Sequence, residues 1–294
     1  MTISQEMLAA VRRAKTPLGD SASEVEAFFR GRLLDDGGFA NRSGKSDLYY
    51  TVFGLQAMVA LGAAFPAEPV AGYLASFGAG DALDMLHLSC LARCWASLPA
   101  AEAPAALRDT ILRRLAACRT PDGGYAQQPH ATAGSAYGCF LALGTYQDLD
   151  AELPDPDGCA RCLAGLAAGD GAFANDTDLP VGSVPATAAA VAVLHHLGRA
   201  APAATAGWLL AQRAAGGGWL VVPGAPEPDL LSTATALHAL VLLGADLTGA
   251  RKPAAQFVLS LRTPGGGFAG HAGDETPDCE YTYYALLALG HLAG

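Results

Sequence analysis

Four aspartates, Asp47, Asp81, Asp229 and Asp278, open corresponding segments of this chain. Three share one frame, Asp-x-x-x-Thr-x-x-x-Leu: Asp47, Thr51, Leu55; Asp229, Thr233, Leu237; Asp278, Thr282, Leu286. Carboxylates at helix starts have two uses. Gathered at one mouth they form a ring able to bind a cation or take a proton. Taken singly, each caps a helix, because its side chain accepts from an unpaired backbone N–H. The residue type favours capping, and Asp81 with Asp84 three residues on fits it. His271, Tyr281 and Thr282 fall beside Asp278 and join the same candidate mouth. Tyr50, Phe53, Tyr283 and Tyr284 bring aromatic surface to that end. At helical spacing such rings either line an apolar tunnel or fill a core. Thr51, Thr233 and Thr282 are expected to bond backbone within the first turn.

Thiols and imidazoles give a weaker pattern. Cys159-Ala160-Arg161-Cys162 is a lone Cys-x-x-Cys with no second pair. Cys90 and Cys94 lie four apart, and with His87 they form the one metal-like grouping. Buried thiols are the plainer reading of both. His130, His195, His196 and His238 follow no ligand spacing and read as structural. No metal is assigned.

The elements that must position these residues are repeats. A glycine-rich turn ending in an aromatic recurs at Asp36–Ala40, Asp122–Ala126, Asp170–Ala174, Gly216–Trp219 and Gly265–Ala269. Counted at the residue before the aromatic, successive copies stand 86, 48, 46 and 49 residues apart. The first step is double, and Phe77-Gly78-Ala79-Gly80-Asp81 sits where the missing copy belongs. Six units result, each burying its apolar face only against its neighbours. Each unit has two helical stretches. The first carries charge, as in Ser21–Leu34 and Leu107–Cys118. The second is apolar nearly all round, as in Asp47–Leu61, Asp81–Leu98, His130–Leu143, Val181–Leu197, Asp229–Leu243 and Asp278–Leu292. Helices with a charged stripe belong outside and all-apolar helices inside. The pattern predicts an all-α fold, an (α/α)6 toroid of six outer–inner pairs around a central cavity roughly 20 Å deep. The domain spans 21–294. Residues 1–20 form a helical extension, amphipathic and packed on the outside. At the cavity mouth six helix N-termini focus a positive dipole.

Composition narrows the function classes. Of 294 residues 51% are hydrophobic and 16% charged, which is ample for one large core. The net charge of −10, without any Lys or Arg run, argues against nucleic acid and against anionic membrane surfaces. Residues 1–15 lack the apolar block of a signal peptide. No apolar run reaches bilayer length. Seven cysteines without framework spacing suit a reducing cytoplasm.

Glycine–glycine–aromatic turns joined to Thr-x-x-Ala-Leu-x-Ala-Leu inner helices resemble the β subunit of protein prenyltransferases and, more distantly, squalene–hopene type cyclases. The resemblance covers residues 21–294, and its closest segment is Asp278-Cys279-Glu280-Tyr281-Thr282-Tyr283-Tyr284-Ala285-Leu286. It implies a zinc site of an Asp, a Cys two residues on, and a His before a Thr. Those positions are Asp229, Leu231 and Tyr281, so one ligand of three is retained, and one carboxylate does not hold zinc. The cofactor expectation is therefore none. The basic residues that the resemblance implies for a diphosphate are absent between Trp219 and Asp229. The cyclase's Asp-x-Asp-Asp run is also absent: Asp176-Thr177-Asp178-Leu179 lacks its last Asp, and Asp81-Ala82-Leu83-Asp84 has another spacing.

The functional expectation is a prenyltransferase-like protein whose apolar cavity takes an isoprenoid or similar elongated ligand, with any transferase chemistry following a route without the usual zinc. The alternative is a non-catalytic interaction module on the same toroid. Leu55, Val59, Leu237, Leu240 and Leu286 are expected to line the cavity, and a neutral isoprenoid alcohol is expected to bind at least as well as the diphosphate. An α-subunit-like protein partner is left open.

Overall fold

The computed structural model describes residues 1–98 and 103–293. Its helices are α1 (Ile3–Arg13), α2 (Lys15–Leu18), α3 (Ala22–Arg32), α4 (Leu48–Leu61), α5 (Ala67–Ala75), α6 (Met85–Ser97), α7 (Ala105–Ala117), α8 (Ala136–Asp148), α9 (Pro156–Leu166), α10 (Val184–His196), α11 (Thr205–Ala211), α12 (Leu230–Leu242), α13 (Thr248–Ser260) and α14 (Cys279–Leu292). The even-numbered helices from α4 to α14 form an inner ring in chain order, and α14 packs back against α4. The odd-numbered helices from α3 to α13 surround them. The protein is a closed (α/α)6 toroid, as the six-fold repeat predicts.

Every inner helix starts with a side-chain cap. Asp47, Asp84, Ser135, Ser183, Asp229 and Asp278 each accept a backbone N–H of the first turn. Two expectations shift here. The cap of α6 is Asp84, and Asp81 lies exposed in the preceding turn. The α8 helix begins at Ala136 rather than near His130, which sits in the loop with φ 62°.

The repeated turn has a mechanical role. In each of five units a short antiparallel bridge closes it, for example Arg213 to Trp219 and Arg262 to Phe268. The aromatic side chain drops between inner and outer helices; Phe39, Phe173, Trp219 and Phe268 are fully buried. In four units the aromatic's backbone N–H donates to the inner-helix threonine: Phe39 to Thr51 at 2.9 Å, Phe173 to Thr187 at 2.9 Å, Trp219 to Thr233 at 2.9 Å and Phe268 to Thr282 at 3.0 Å. The threonines thus do more than bond their own first turn, although Thr51 and Thr233 also donate to the carbonyls of Asp47 and Asp229, both at 2.7 Å. Thr233→Val keeps the shape but orphans the buried Trp219 N–H. It is expected to lower stability by about 1–3 kcal/mol, read as a lower midpoint in urea; an unchanged midpoint would show that the lock is dispensable.

The ring closes in its outer layer as well. Gly266 lies against the backbone of Glu24 in α3, and Gly267 lies under the ring of Phe28. The turns of other units meet the next outer helix in the same way, at Pro69, Gly158, Ala204 and Pro253. One unit's turn therefore clamps its successor, and the last clamps the first.

The N-terminal extension is not on the outside. Helix α1 lies across the C-terminal end of the inner ring, packed on α14, α4 and α8. Its buried face is Ile3, Ser4, Met7, Ala10 and Val11, the spacing of one helical stripe. Polar contacts fix it to three inner-helix ends. Ile3 N–H donates to Gln147 at 2.8 Å, Ser4 Oγ donates to Asp148 at 2.7 Å, Glu6 pairs with His196 at 2.8 Å, and Arg13 Nε donates to the Gly290 carbonyl at 3.1 Å. An apolar ring open at both ends would leave this stripe of the inner helices wet; α1 plugs it.

Candidate functional site

Inside the ring is a cavity of about 320 Å³ with α1 as its floor. All six inner helices contribute to the wall, in one register. Counting from the first residue of each helix, positions 2, 5, 6 and 9 face inward. Position 2 supplies Tyr49, Leu86, Tyr137, Pro185, Leu231 and Glu280. These residues are half-buried and mark the open end. At position 9 lie Gln56, Arg93, Ala192, His238 and Leu287, all on the cavity wall, with Met7 below. Seven residues at 1.5 Å each make the walled depth roughly 10 Å. The expected 20 Å is halved because α1 occupies the other end.

The same register corrects the expected lining. Thr51, Thr233 and Thr282, at position 4, turn outward to bond the glycine loops. Leu55, Leu237 and Leu286 lie one helical turn below and share that outward face, completely buried in the inter-layer core. Val59 and Leu240 also lie outside the wall. The lining is more aromatic and more polar than expected.

Among the aromatic candidates, Phe53, Tyr283 and Tyr284 line the cavity, joined by Tyr49, Tyr137 and Phe140. Phe53 contacts Tyr49, Tyr283 and Tyr284 at ring-centroid distances of 5.1, 5.6 and 5.6 Å. Tyr50 meets Tyr49 edge to face but stands outside the wall.

Glu280 stands among these rings. Tyr49 donates its hydroxyl to Glu280 Oε1 at 2.6 Å. Burial pushes the Glu280 carboxyl up to about 6, against the Tyr49 hydrogen bond that favours its charged form. The same burial and the adjacent carboxylate hold the Tyr49 hydroxyl far above its ordinary value, so it remains a donor. Such a site can give or take a proton near neutral pH in an apolar, ring-lined space. Cys90 also faces the cavity, but burial raises its thiol to about 12, which leaves it unreactive.

The carboxylates at the mouth are occupied. Asp229 gives both oxygens to Ser232, at 2.7 Å each. Asp278 is buried, caps α14 and receives Arg42 Nε at 2.7 Å. Arg42 also reaches Asp274 at 2.7 Å and lies over Tyr281, 5.5 Å from the ring centroid. Asp47 accepts from Tyr49 N–H and from Asn41. Half-buried His271 pairs with Glu227 across two loops at 3.1 Å. Thr282 is entirely buried and faces the glycine loop through Phe268, so it belongs to neither the mouth nor the cavity wall. The aspartates are caps and loop anchors rather than a shared carboxylate ring.

The Cys139, Cys159 and Cys162 thiols meet in the core, where their mutual hydrogen bonds and burial raise Cys139 and Cys162 above the ordinary thiol range. Leu231 faces the cavity and Tyr281 lies under Arg42, at the two positions where the resemblance implies zinc donors. His87 pairs with Asp84 at 2.7 Å, apart from the buried Cys94. Cys162 packs under Gly124, where an added Cβ would meet its Sγ at 2.3 Å. Among the described residues no three His, Cys, Asp or Glu side chains are placed to hold a metal.

Motif spacing alone does not single out two of the site's residues. Glu280 lies inside the segment Asp278 to Leu286 that carries the family resemblance. Arg93 is the single Lys or Arg among the described cavity-lining side chains. Its signal was visible, a lone charge within the apolar run Met85–Trp95.

Solved structures of this architecture exist. The type II terpene cyclase MstE from Scytonema superposes with a TM-score of 0.66 at 15% identity, covering 95% of this chain and 97% of that one. A variant of it, in complex with its substrate geranylgeranyl dihydroxybenzoate, gives 0.64 at 14%, with the same coverage. A protein from Actinoplanes gives 0.61 at 16%, covering 93% of this chain and 99% of that one. At these identities the likeness concerns the fold. No curated protein matches the sequence. No described helix is long and apolar enough to cross a membrane. The sequence pattern of the prenyltransferase alpha-alpha toroid domain matches residues 20–89, 75–201 and 187–293, and the chain belongs to that family.

Proposed function

We propose that the cavity binds a short isoprenoid-like chain and that Glu280 protonates it, starting a redox-neutral cyclisation or rearrangement. One observation carries the reading: a carboxyl raised to about 6 stands in a cavity walled by six aromatic rings. Proton transfer from Glu280 to an alkene carbon or epoxide oxygen leaves positive charge on the chain. Phe53, Tyr137, Phe140 and Tyr284 line the space in which that charge forms, and aromatic rings attract cations. The next double bond closes a ring on the cation. Loss of a proton to the Glu280 carboxylate ends the sequence and restores the acid, so substrate and product are isomers. The terpene cyclase complex on the same fold supports an apolar, polyene-sized occupant. A volume of about 320 Å³ stands at the lower end of the roughly 300–1,000 Å³ range of ligand sites. A chain of roughly ten to fifteen carbons suits it. In this reading neither zinc nor a diphosphate leaving group takes part.

The test uses C10 and C15 polyenes and their terminal epoxides, with products read by gas chromatography–mass spectrometry. Wild type is expected to give isomers of unchanged mass. Glu280→Gln should slow this at least about 100-fold, as for loss of a general acid. Above pH 6 the wild-type rate should fall about tenfold per pH unit as the acid form is depleted. Binding without conversion would favour the interaction-module reading.

Stability supplies a second readout. A carboxyl raised on folding binds more protons in the native state between 4.5 and about 6. Stability therefore falls as pH rises through that window and stays lower above it. Glu280→Gln removes the penalty and should stabilise the protein at pH 7.5 by up to roughly 2 kcal/mol. A less stable variant would mean that Glu280 serves the fold.

A further inference from the structure

The closed end of the cavity holds a cation whose hydrogen-bonding capacity is not used up. Arg93 donates from Nε to Asp148 at 3.2 Å. Among the described residues its two terminal nitrogens have no acceptor. The side chain keeps 16% of its surface, and that surface belongs to the cavity wall. Room for the guanidinium is built in. Position 9 of α8 is Gly144, where a Cβ would stand 2.9 Å from an Arg93 terminal nitrogen. Position 9 of α10 is the small Ala192. Asp148, 3% exposed, is held by Ser4 from α1, so the pair is fixed from below. Two further wall residues on this layer, Gln56 and His238, each keep an Nε2 without a partner. Buried polar atoms left without partners are rare in folded proteins. Here they gather at one end of an otherwise apolar and aromatic space.

We propose that this end is a head-group subsite, in which the terminal nitrogens of Arg93 donate to a carbonyl or carboxyl oxygen of an isoprenoid-like ligand. The rest of the chain runs up to Glu280, about 10 Å nearer the mouth. The ligand enters head first and is protonated toward its tail. A diphosphate does not suit the subsite. Asp148 already balances the Arg93 charge, so several buried negative charges would find no counter-charge. A single planar oxygen acceptor needs only the free N–H groups. The expected neutral alcohol gives way to a carbonyl-bearing ligand. This inference rests on the proposal that the cavity takes an apolar chain, and the test separates the two.

The experiment measures wild-type affinity, by calorimetry, for five C15 ligands of one skeleton: hydrocarbon, alcohol, aldehyde, acid and diphosphate. The aldehyde or the acid is expected to bind at least about tenfold tighter than the hydrocarbon. Which of them leads tells a neutral head from an ionised one. The Arg93→Gln, Asp148→Asn double variant avoids leaving Asp148 unpaired. It should reduce that preference to under about threefold while hydrocarbon binding stays. Equal affinity of hydrocarbon and carbonyl ligands overturns the subsite and leaves the cavity proposal standing. A preference for the diphosphate overturns it too. Failure of all five ligands overturns both. Should the double variant not fold, the wild-type series decides alone.

Discussion

Gly266→Ala is expected to lower the melting temperature by roughly 6–12 °C, while Gly265→Ala next to it leaves the temperature within about 2 °C. Gly266 has φ +85°, and a Cβ there would lie 2.4 Å from the Glu24 carbonyl oxygen and 2.7 Å from its carbon. The obstacle is helix backbone, so no rotamer change relieves it. The positive φ alone costs an alanine about 1–2 kcal/mol. The collision must then be relieved by moving α3, and this contact joins the last unit to the first. A total of about 3 kcal/mol follows, at roughly 2–4 °C for each. Gly265 has no positive φ and open space around its Cβ direction. A Gly266→Ala melt superimposable on wild type would show that the outer layer does not need this clamp. The same substitution at Gly217, with φ +101° and Pro253 O at 2.2 Å, tests a clamp inside the ring, away from the closure.

These clamps explain why so much of the fold was readable. Gly-Gly-aromatic is a local signal, because the turn needs its glycines and the pocket its ring, and its recurrence gives the number of units. The all-round apolar character of the second helices gives inside and outside. The caps at Asp47, Asp229 and Asp278 were legible for the same local reason. What the pattern could not give is rotation about the inner-helix axes. On an all-apolar helix, hydrophobicity does not distinguish the cavity face from the inter-layer face, so Leu55 and Leu237 were placed on the wrong one. Polar residues carry that information. Gln56, Arg93 and His238 stand at position 9 of their helices, and Glu280 at position 2 of its own. With the six helices aligned on their caps, those polar positions mark the wall. The placement of α1 was illegible for another reason. Its stripe is amphipathic in any position, and its partners Gln147, His196 and Gly290 are far along the chain.

Gly290→Ala is expected to loosen the floor of the cavity, and of all single-methyl changes in α14 it should act most strongly on ligand binding. A Cβ at Gly290 would stand 1.9 Å from the Ala10 carbonyl oxygen and 2.6 Å from its carbon. Helices α1 and α14 touch backbone to backbone here, and Arg13 reinforces the contact by donating to the Gly290 carbonyl. Alanine is a better helix former than glycine by about 1 kcal/mol, so α14 itself gains. The loss falls on α1, which must move away by more than an ångström at its C-terminal half. Its N-terminal half is tied through Ser4, Glu6 and the Ile3 N–H, so the helix pivots or detaches. Limited proteolysis should then cut within residues 1–14 at least about tenfold faster than in wild type, the rate following the open population. The melting temperature should drop by several degrees, on the order of 2–3 kcal/mol. Gly207→Ala, in α11 with open space at its Cβ, serves as the control and is expected to be neutral or slightly stabilising. Ligand binding should weaken for two separate reasons. Met7 leaves the floor, which costs the chain apolar contact. Ser4 leaves Asp148, so Arg93 loses the support that aims it. The second effect touches only ligands with a carbonyl head. In Gly290→Ala the carbonyl ligand should therefore lose more affinity than the hydrocarbon. Equal losses would mean that Asp148 holds Arg93 without help from α1. Proteolysis and melting unchanged from wild type would mean that the α1–α14 contact yields without undocking.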